Sequence, residues 1–316
     1  MPLIQLSLFY RFVFPVKQIT SLRNRTGFKE EAYNMNPTIA NRTLQKKLAQ
    51  KWLDQSRLLS SSQANLVHLS QAVAKYRKIR LNHISAADDL RSNEILGLFE
   101  DRSLPLILIL IDGFGVSSLK HLDESGFMAQ QNYEVLHSVF PSATTAALTS
   151  LASGKWPGEH GCLGWWTYLP EFKCNSVPLP FIDRKTEDCL SQHGIAPEMV
   201  FPSILKPDIE SESSSMFYYP RAIAGSKYSL FLGQESSIIP YTSLEEGVDR
   251  LIASFNSQGN PDFSYLYYPN LDSISHKFGM SSQESKLCVR GIDKQIESLY
   301  QTENVYRHNK GSNFFI

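Results

Sequence analysis

The sequence predicts an α/β fold: a mostly parallel sheet with helices on both faces, preceded by a helical N-terminal extension. Three observations carry that expectation. An unbroken apolar run of strand length stands at Leu106–Ile111, as in a strand buried on both faces, and Phe263–Tyr268 reads as another apolar strand. Stretches of helical period alternate with such runs, the arrangement of a parallel sheet covered by helices. Asp112 directly follows the first run and Asp272 lies shortly after the second, which places carboxylates at strand C-termini, where open α/β sheets bind their ligands.

At 316 residues and 42% hydrophobic composition, the chain holds enough apolar surface for a folded core, which excludes disorder throughout. The formal charge is zero but unevenly spread. Residues 1–90 carry 14 Lys/Arg against 5 Asp/Glu, and the remainder carries the opposite excess. A solvated basic extension resting on an acidic domain satisfies this split, as does contact with an anionic partner or membrane surface. The four cysteines, Cys162, Cys174, Cys189 and Cys288, show no C-x-x-C pairing, so free thiols are expected rather than a structural zinc site. The apolar opening MPLIQLSLFYRFVFPV lacks a basic leader and a cleavage site, and Arg11 interrupts it well short of the ~20 residues of a membrane span. The expectation is no transmembrane span and a cytoplasmic setting, in which the sequons at Asn24 and Asn41 have no role.

Taken in order, residues 1–36 show no periodicity. Between Thr43 and Leu59, Leu44, Leu48, Trp52 and Leu59 share one helical face, and Lys46, Lys47, Lys51 and Arg57 lie largely off it, giving an amphipathic basic helix. Three serines at 60–62 end it, and Leu66, Leu69, Val73 and Tyr76 mark a second helix before a basic run to Arg80. A boundary is expected near Ser103. Residues 1–103 then form the extension, 104–300 the catalytic domain and 301–316 an atypical tail.

Within the domain, a strand to Ile111 is followed by a helix from about Val116 to Leu122 and a strand over Val135–Phe140. A helix over Thr144–Ser153 closed by Gly154 comes next, its small residues and terminal glycine indicating a tightly packed element. Lys155 to Asp208, rich in Pro, Gly and aromatic residues, reads as one long loop excursion near the site. Met216–Tyr219 and Tyr228–Leu232 read as strands, Leu244–Phe255 as a helix, and Phe263–Tyr268 as the strand feeding Asp272. Ser281–Leu299 reads as a helix with Leu287, Gly291, Ile292, Ile296 and Leu299 inward.

The polar residues at these junctions form a recognisable series. Asp112-Gly113 follows the first strand, and Phe140-Pro141-x-x-Thr144 precedes Ser153-Gly154 by nine residues. Pro157-x-Glu159-His160-Gly161 comes next, and Leu271-Asp272-x-x-x-His276-x-x-Gly279 lies far downstream. Alone, an Asp at a strand end serves equally as a turn residue or cap, and Ser142 and Thr145 flank the threonine as rival hydroxyls. Together the motifs resemble the type I phosphodiesterase/nucleotide pyrophosphatase branch of the alkaline phosphatase superfamily, over roughly Leu106–Leu299.

That resemblance implies an alkaline-phosphatase-like sheet and a metal-dependent hydrolase of phosphodiester or pyrophosphate bonds. The implied substrates are nucleotide-like or other small phosphate esters rather than nucleic acid. It assigns Thr144 as the nucleophile of a two-step reaction through a phosphothreonine. Two zinc ions are implied, one on Asp112 and Thr144 and the other on Asp272 and His276. Substrate contacts fall to Gly113, Trp165, Trp166 and Tyr168. His160 is expected to fix a turn, and His137 to lie in core or surface. Two departures stand out. Gly164-Trp165 occupies the place where relatives carry a phosphate-binding Asn, and QTENVYRHNKGSNFFI after Leu299 holds no Asp-His-Gly, with His308 as its single histidine. The expectation is therefore a C-terminally incomplete fold with an exposed sheet edge and impaired activity, the alternative being a catalytically inactive, truncated relative with a binding or structural role. A phosphate-transferring mutase fits the flanks less well, and no Cys/Ser-x-Pro-x-Arg sulfatase motif occurs.

Overall fold

Alternation along a single strand organises the interior. In β2 (Leu106–Ile111), Leu106, Leu108 and Leu110 enter one hydrophobic cluster while Ile107, Ile109 and Ile111 enter another, so the strand is buried on both faces. The computed structural model describes residues 3–7, 63–81, 84–99, 104–131, 133–202, 204–205, 214–233, 237–255, 261–307 and 313–315. The expected basic helix over Thr43–Leu59 lies outside the described residues, as does the boundary residue Ser103.

Around β2 lie β7 (Ser215–Pro220), β8 (Ile238–Tyr241), β9 (Phe263–Tyr268) and β10 (Asn313–Phe315), in the all-parallel order β10-β2-β9-β7-β8. The register sets Leu106 opposite Phe263 and Ile111 opposite Tyr268, so the two apolar runs end together at one edge. The tail residues 313–315 continue the sheet beside β2. A separate two-stranded parallel sheet joins β1 (Leu3–Ser7) to β3 (Tyr133–His137). β3 ends earlier than the expected strand over Val135–Phe140, and a cis peptide joins Phe140 to Pro141.

One face of the sheet is covered by α1 (Leu66–Tyr76), α2 (Ala86–Leu96) and α4 (Thr144–Ser153), with α3 (Val116–Leu119) a short turn of helix after β2. The Asn65 side chain caps α1 by accepting from the Val67 N–H at 2.9 Å. Ser70 Oγ donates to the Leu151 carbonyl at 2.6 Å and Gln71 Nε2 to the Gly154 carbonyl at 3.0 Å, fastening α1 to α4. Buried His68 pairs with Asp88 of α2 at 3.0 Å, and Trp156 Nε1 donates to the same carboxylate. Residues 1–9 and 61–316 form one compact unit, so α1 and α2, which precede Ser103, belong to the same body as the sheet.

The opposite face packs α9 (Leu244–Phe255) and α11 (Gln283–Arg307) against Ile107, Ile109, Tyr218 and Leu266. Here the structure corrects the inward face of α11. Leu287 and Gly291 are exposed, and Ser285, Val289, Ile292, Ile296 and Leu299 are buried, a clean i, i+4, i+7 series that the expected set breaks. A second correction concerns Tyr228–Leu232, which is helical within α8 (Lys227–Gly233), after the short α7 (Arg221–Ala224). Ser226 explains it: its hydroxyl accepts from the Ser229 N–H at 3.1 Å and its carbonyl from Leu230, the start of a helix rather than a strand.

The excursion after Lys155 is structured rather than a bare loop. It holds α5 (Pro157–His160), an antiparallel sheet of β4 (Thr167–Leu169), β5 (Cys174–Val177) and β6 (Ile182–Asp183), and α6 (Pro197–Val200). Among the described residues, no helix is long and apolar enough to cross a membrane.

Candidate active site

The paired ends of β2 and β9 deliver the first functional group. Asp112 follows β2 immediately, its N–H donating to the Tyr268 carbonyl at 2.9 Å, and its side chain is 4% exposed. The Tyr267 hydroxyl donates to Asp112 Oδ2 at 2.8 Å. Burial, then the neighbouring Asp272 carboxylate, push the Asp112 carboxyl up to about 6. Hydrogen bonds from Tyr267, Thr144 and the Gly113 backbone pull it back down.

Gly113 turns the chain at φ 77°, and a Cβ there would stand 2.8 Å from the Asp272 Cα. Only glycine permits that approach. Its role in the geometry is thus to dock the two carboxylate-bearing segments against each other. Asp272 sits in the first turn of α10 (Asn270–Phe278), where the helix dipole favours negative charge, and His276 one turn on pairs with it at 3.5 Å. The His276 side chain is 60% exposed.

Thr144 is the first residue of α4, half-buried and beside Asp112. The rival hydroxyls separate on burial: Thr145 is fully enclosed, with its Oγ1 unpartnered in the core, and neither it nor Ser142 faces the cavity that Thr144 lines. His160 holds a turn. Its Nδ1 accepts from the Cys162 N–H at 3.1 Å, which leaves Nε2 as the protonated nitrogen beside Ser150 Oγ at 2.9 Å. Burial lowers its pKa to about 4, so the ring is neutral. His137 ends β3, half-buried, its N–H donating to the Ala64 carbonyl.

A cavity of about 590 Å³ opens at this rim, bordered by Asp112, Thr144, Asp272 and Trp165. Trp166 and Tyr168 stand away from its lining and are exposed, with the Arg184 guanidinium stacked 4.0 Å over the Trp166 ring. Asp112, Thr144 and Asp272, separated widely in sequence, therefore meet at one rim, with Trp165 at its mouth, and His276 pairs with Asp272 outside the cavity lining. Tyr267 is the site residue that sequence reasoning missed. Its signal was the alternation Phe263, Tyr265, Tyr267, which puts a hydroxyl beside the Asp at the strand end.

The donors at this rim suit a divalent cation: a buried carboxylate faces a second one, and among the described residues no lysine or arginine pairs with either. They do not form a closed zinc centre. Among the described residues no group of three or more His, Cys, Asp or Glu side chains could hold a metal ion.

The sequence profile of the type I phosphodiesterase / nucleotide pyrophosphatase family matches residues 106–304. No curated protein sequence matches significantly. Solved structures resemble the chain, among them two of one murine protein. Murine ectonucleotide pyrophosphatase / phosphodiesterase 5 does so at 16% identity and a TM-score of 0.46, over 64% of this chain and 53% of that one. Its inactive threonine-to-alanine variant in complex with AMP does so at 16% identity and a TM-score of 0.49, over 67% and 55%. The chain spans about half the length of these structures.

Proposed function

The chain belongs to the type I phosphodiesterase/nucleotide pyrophosphatase family, and on that premise we propose that it hydrolyses phosphodiester or pyrophosphate bonds of small phosphate esters, nucleotide-like ones included, through Thr144. The observation that carries the reading is the meeting of Asp112, Thr144 and Asp272 at one sheet rim, with His276 paired to Asp272 beside it.

In the first step Thr144 Oγ1 forms a bond to phosphorus and the opposite P–O ester bond breaks, the leaving oxygen departing as an alcohol or phosphate. In the second, water breaks the Thr–O–P bond and Thr144 recovers its proton. Asp112 orients the hydroxyl, and Tyr267 fixes the Asp112 carboxylate by its hydrogen bond. Asp272 and His276 define the other side of the rim. These four residues would hold the divalent cations, zinc by donor type, and the chemistry supplied there is positive charge that favours the alkoxide and offsets the phosphate oxygens. A phosphate above Thr144 would also stand at the N-terminus of α4, where helix N–H groups favour an anion.

A second reading is impaired catalysis with retained binding. Its support is His276, which is mostly solvent-exposed, engaged with Asp272 and outside the cavity lining. Zinc titration of the purified chain with an aryl phosphodiester separates the two. Metal-dependent turnover that Thr144→Ala removes supports the first; stoichiometric zinc binding without turnover supports the second.

A further inference from the structure

The cavity extends far beyond the reacting groups. Along β9, Tyr267 stands beside Asp112 and Phe263 at the strand's start, four residues apart, roughly 13 Å at strand rise. Both line the cavity, as do Val73, Leu148, Phe217 and Tyr265 between them. At the Phe263 end the Arg77 guanidinium lies 4.2 Å over the ring and donates to Ser215 Oγ at 2.7 Å. Its Nε is buried without a partner, and among the described residues no carboxylate forms an ion pair with it. Asp262, an exposed residue, is near enough to act on it only through its field, and burial lowers the Arg77 pKa to about 10. Midway, Tyr219 lines the space, 3% exposed with its hydroxyl unpartnered, and the Tyr228 hydroxyl lies beside the Thr149 hydroxyl.

A half-buried cation with an unpartnered Nε and, among the described residues, no paired carboxylate, and a buried hydroxyl without a partner, are costly in an apolar enclosure and mark places where a ligand completes the bonding. The wall formed by Ser70, Val73, Ala74 and Arg77 comes from α1 and its C-cap, which lie outside the family-matched residues 106–304, while Phe217 and Phe263 opposite lie within them. We propose that the cavity binds a long-chain carboxylate: the carboxylate meets Arg77, and the unbranched apolar chain runs along the sheet past Tyr219 to the rim at Thr144. The size suits such a ligand, since pockets of ~300–1,000 Å³ enclose molecules of this class. A bound chain ends where the phosphate ester would sit, so it competes with substrate; that consequence alone rests on the proposed hydrolase.

The test measures binding of dodecanoate and dodecanol to the full chain through Trp165 fluorescence at the mouth and by calorimetry. Dodecanoate is expected to bind about tenfold or more tighter than dodecanol, the value of a charge-assisted hydrogen bond in a buried site. Arg77→Met should erase that preference and leave dodecanol unchanged, Arg77→Lys should restore part of it, and Leu151→Trp should block both ligands. Thermal melts identify variants that fold. Equal affinity for the two ligands in the wild-type chain, or a preference that survives Arg77→Met, overturns the proposal. The readout needs no turnover, so an inert chain that binds dodecanoate through Arg77 sinks only the hydrolase reading, and an active chain indifferent to dodecanoate sinks only this one.

Discussion

The two faces of the central sheet are built by alternate residues of the same strands, yet they pack differently. On the Ile107, Ile109 and Ile111 face, α9 and α11 close the layer with branched and aliphatic side chains. On the Leu106, Leu108 and Leu110 face, Tyr219, Phe263, Tyr265 and Tyr267 hold α1 and α4 off the sheet and leave the cavity that ends at Asp112 and Thr144. Both faces carry a hydrophobic core, and the second also leaves a cavity open at the candidate site.

The largest effect that sharpens this contrast is on activity. Thr144→Ala is expected to remove hydrolysis by more than about a thousandfold, as loss of a nucleophile does, while the melting temperature hardly moves because the side chain is only half-buried. Steady-state rates and thermal melts check both halves.

Stability should show the reverse pattern. Ile109→Ala, on the closed face and fully buried, is expected to cost about 4 kcal/mol, whereas Leu148→Ala, which borders the cavity, should cost only about 2, because its removal enlarges a space already there. Urea unfolding decides it. Equal costs would break the distinction between the faces.

Two titrations on the cavity side run in opposite directions. The His160 pKa is lowered to about 4 from an unfolded 6.5, so the unfolded chain binds the extra proton and stability falls as pH drops from 6.5 toward 4. The loss should approach about 3 kcal/mol and shrink in His160→Gln, read by unfolding at stepped pH. The Asp112 carboxyl is raised to about 6 from 3.8, so in metal-free protein stability falls as pH rises through that window. Asp112→Asn should therefore stabilise the metal-free chain by about 3 kcal/mol at pH 8 and by nothing near pH 3, while lowering activity.

Much of this was legible in the sequence, unevenly and for physical reasons. β2, β9 and α4 stand where period, length and Gly154 placed them, because a long apolar run or a glycine at φ 66° leaves little choice. The helical start at Leu66 was equally plain, since Leu66, Leu69, Val73 and Tyr76 all face inward. Short apolar stretches misled: Tyr228–Leu232 fits either period, and the cap at Ser226 decides it. The rim residues could be named from their motifs, but their neighbours could not. Tyr267 reaches Asp112 only through the β2–β9 register, and Arg77 joins the cavity only because α1 packs on α4, relations between distant segments that no local pattern carries.

The most direct measurement is to quench the metal-loaded chain during turnover of an aryl phosphodiester and map the covalent adduct by mass spectrometry. A phosphoryl ester on Thr144, absent from Thr144→Ala, is the expected result. Turnover that leaves the adduct on Ser142, or persists undiminished in Thr144→Ala, would contradict it.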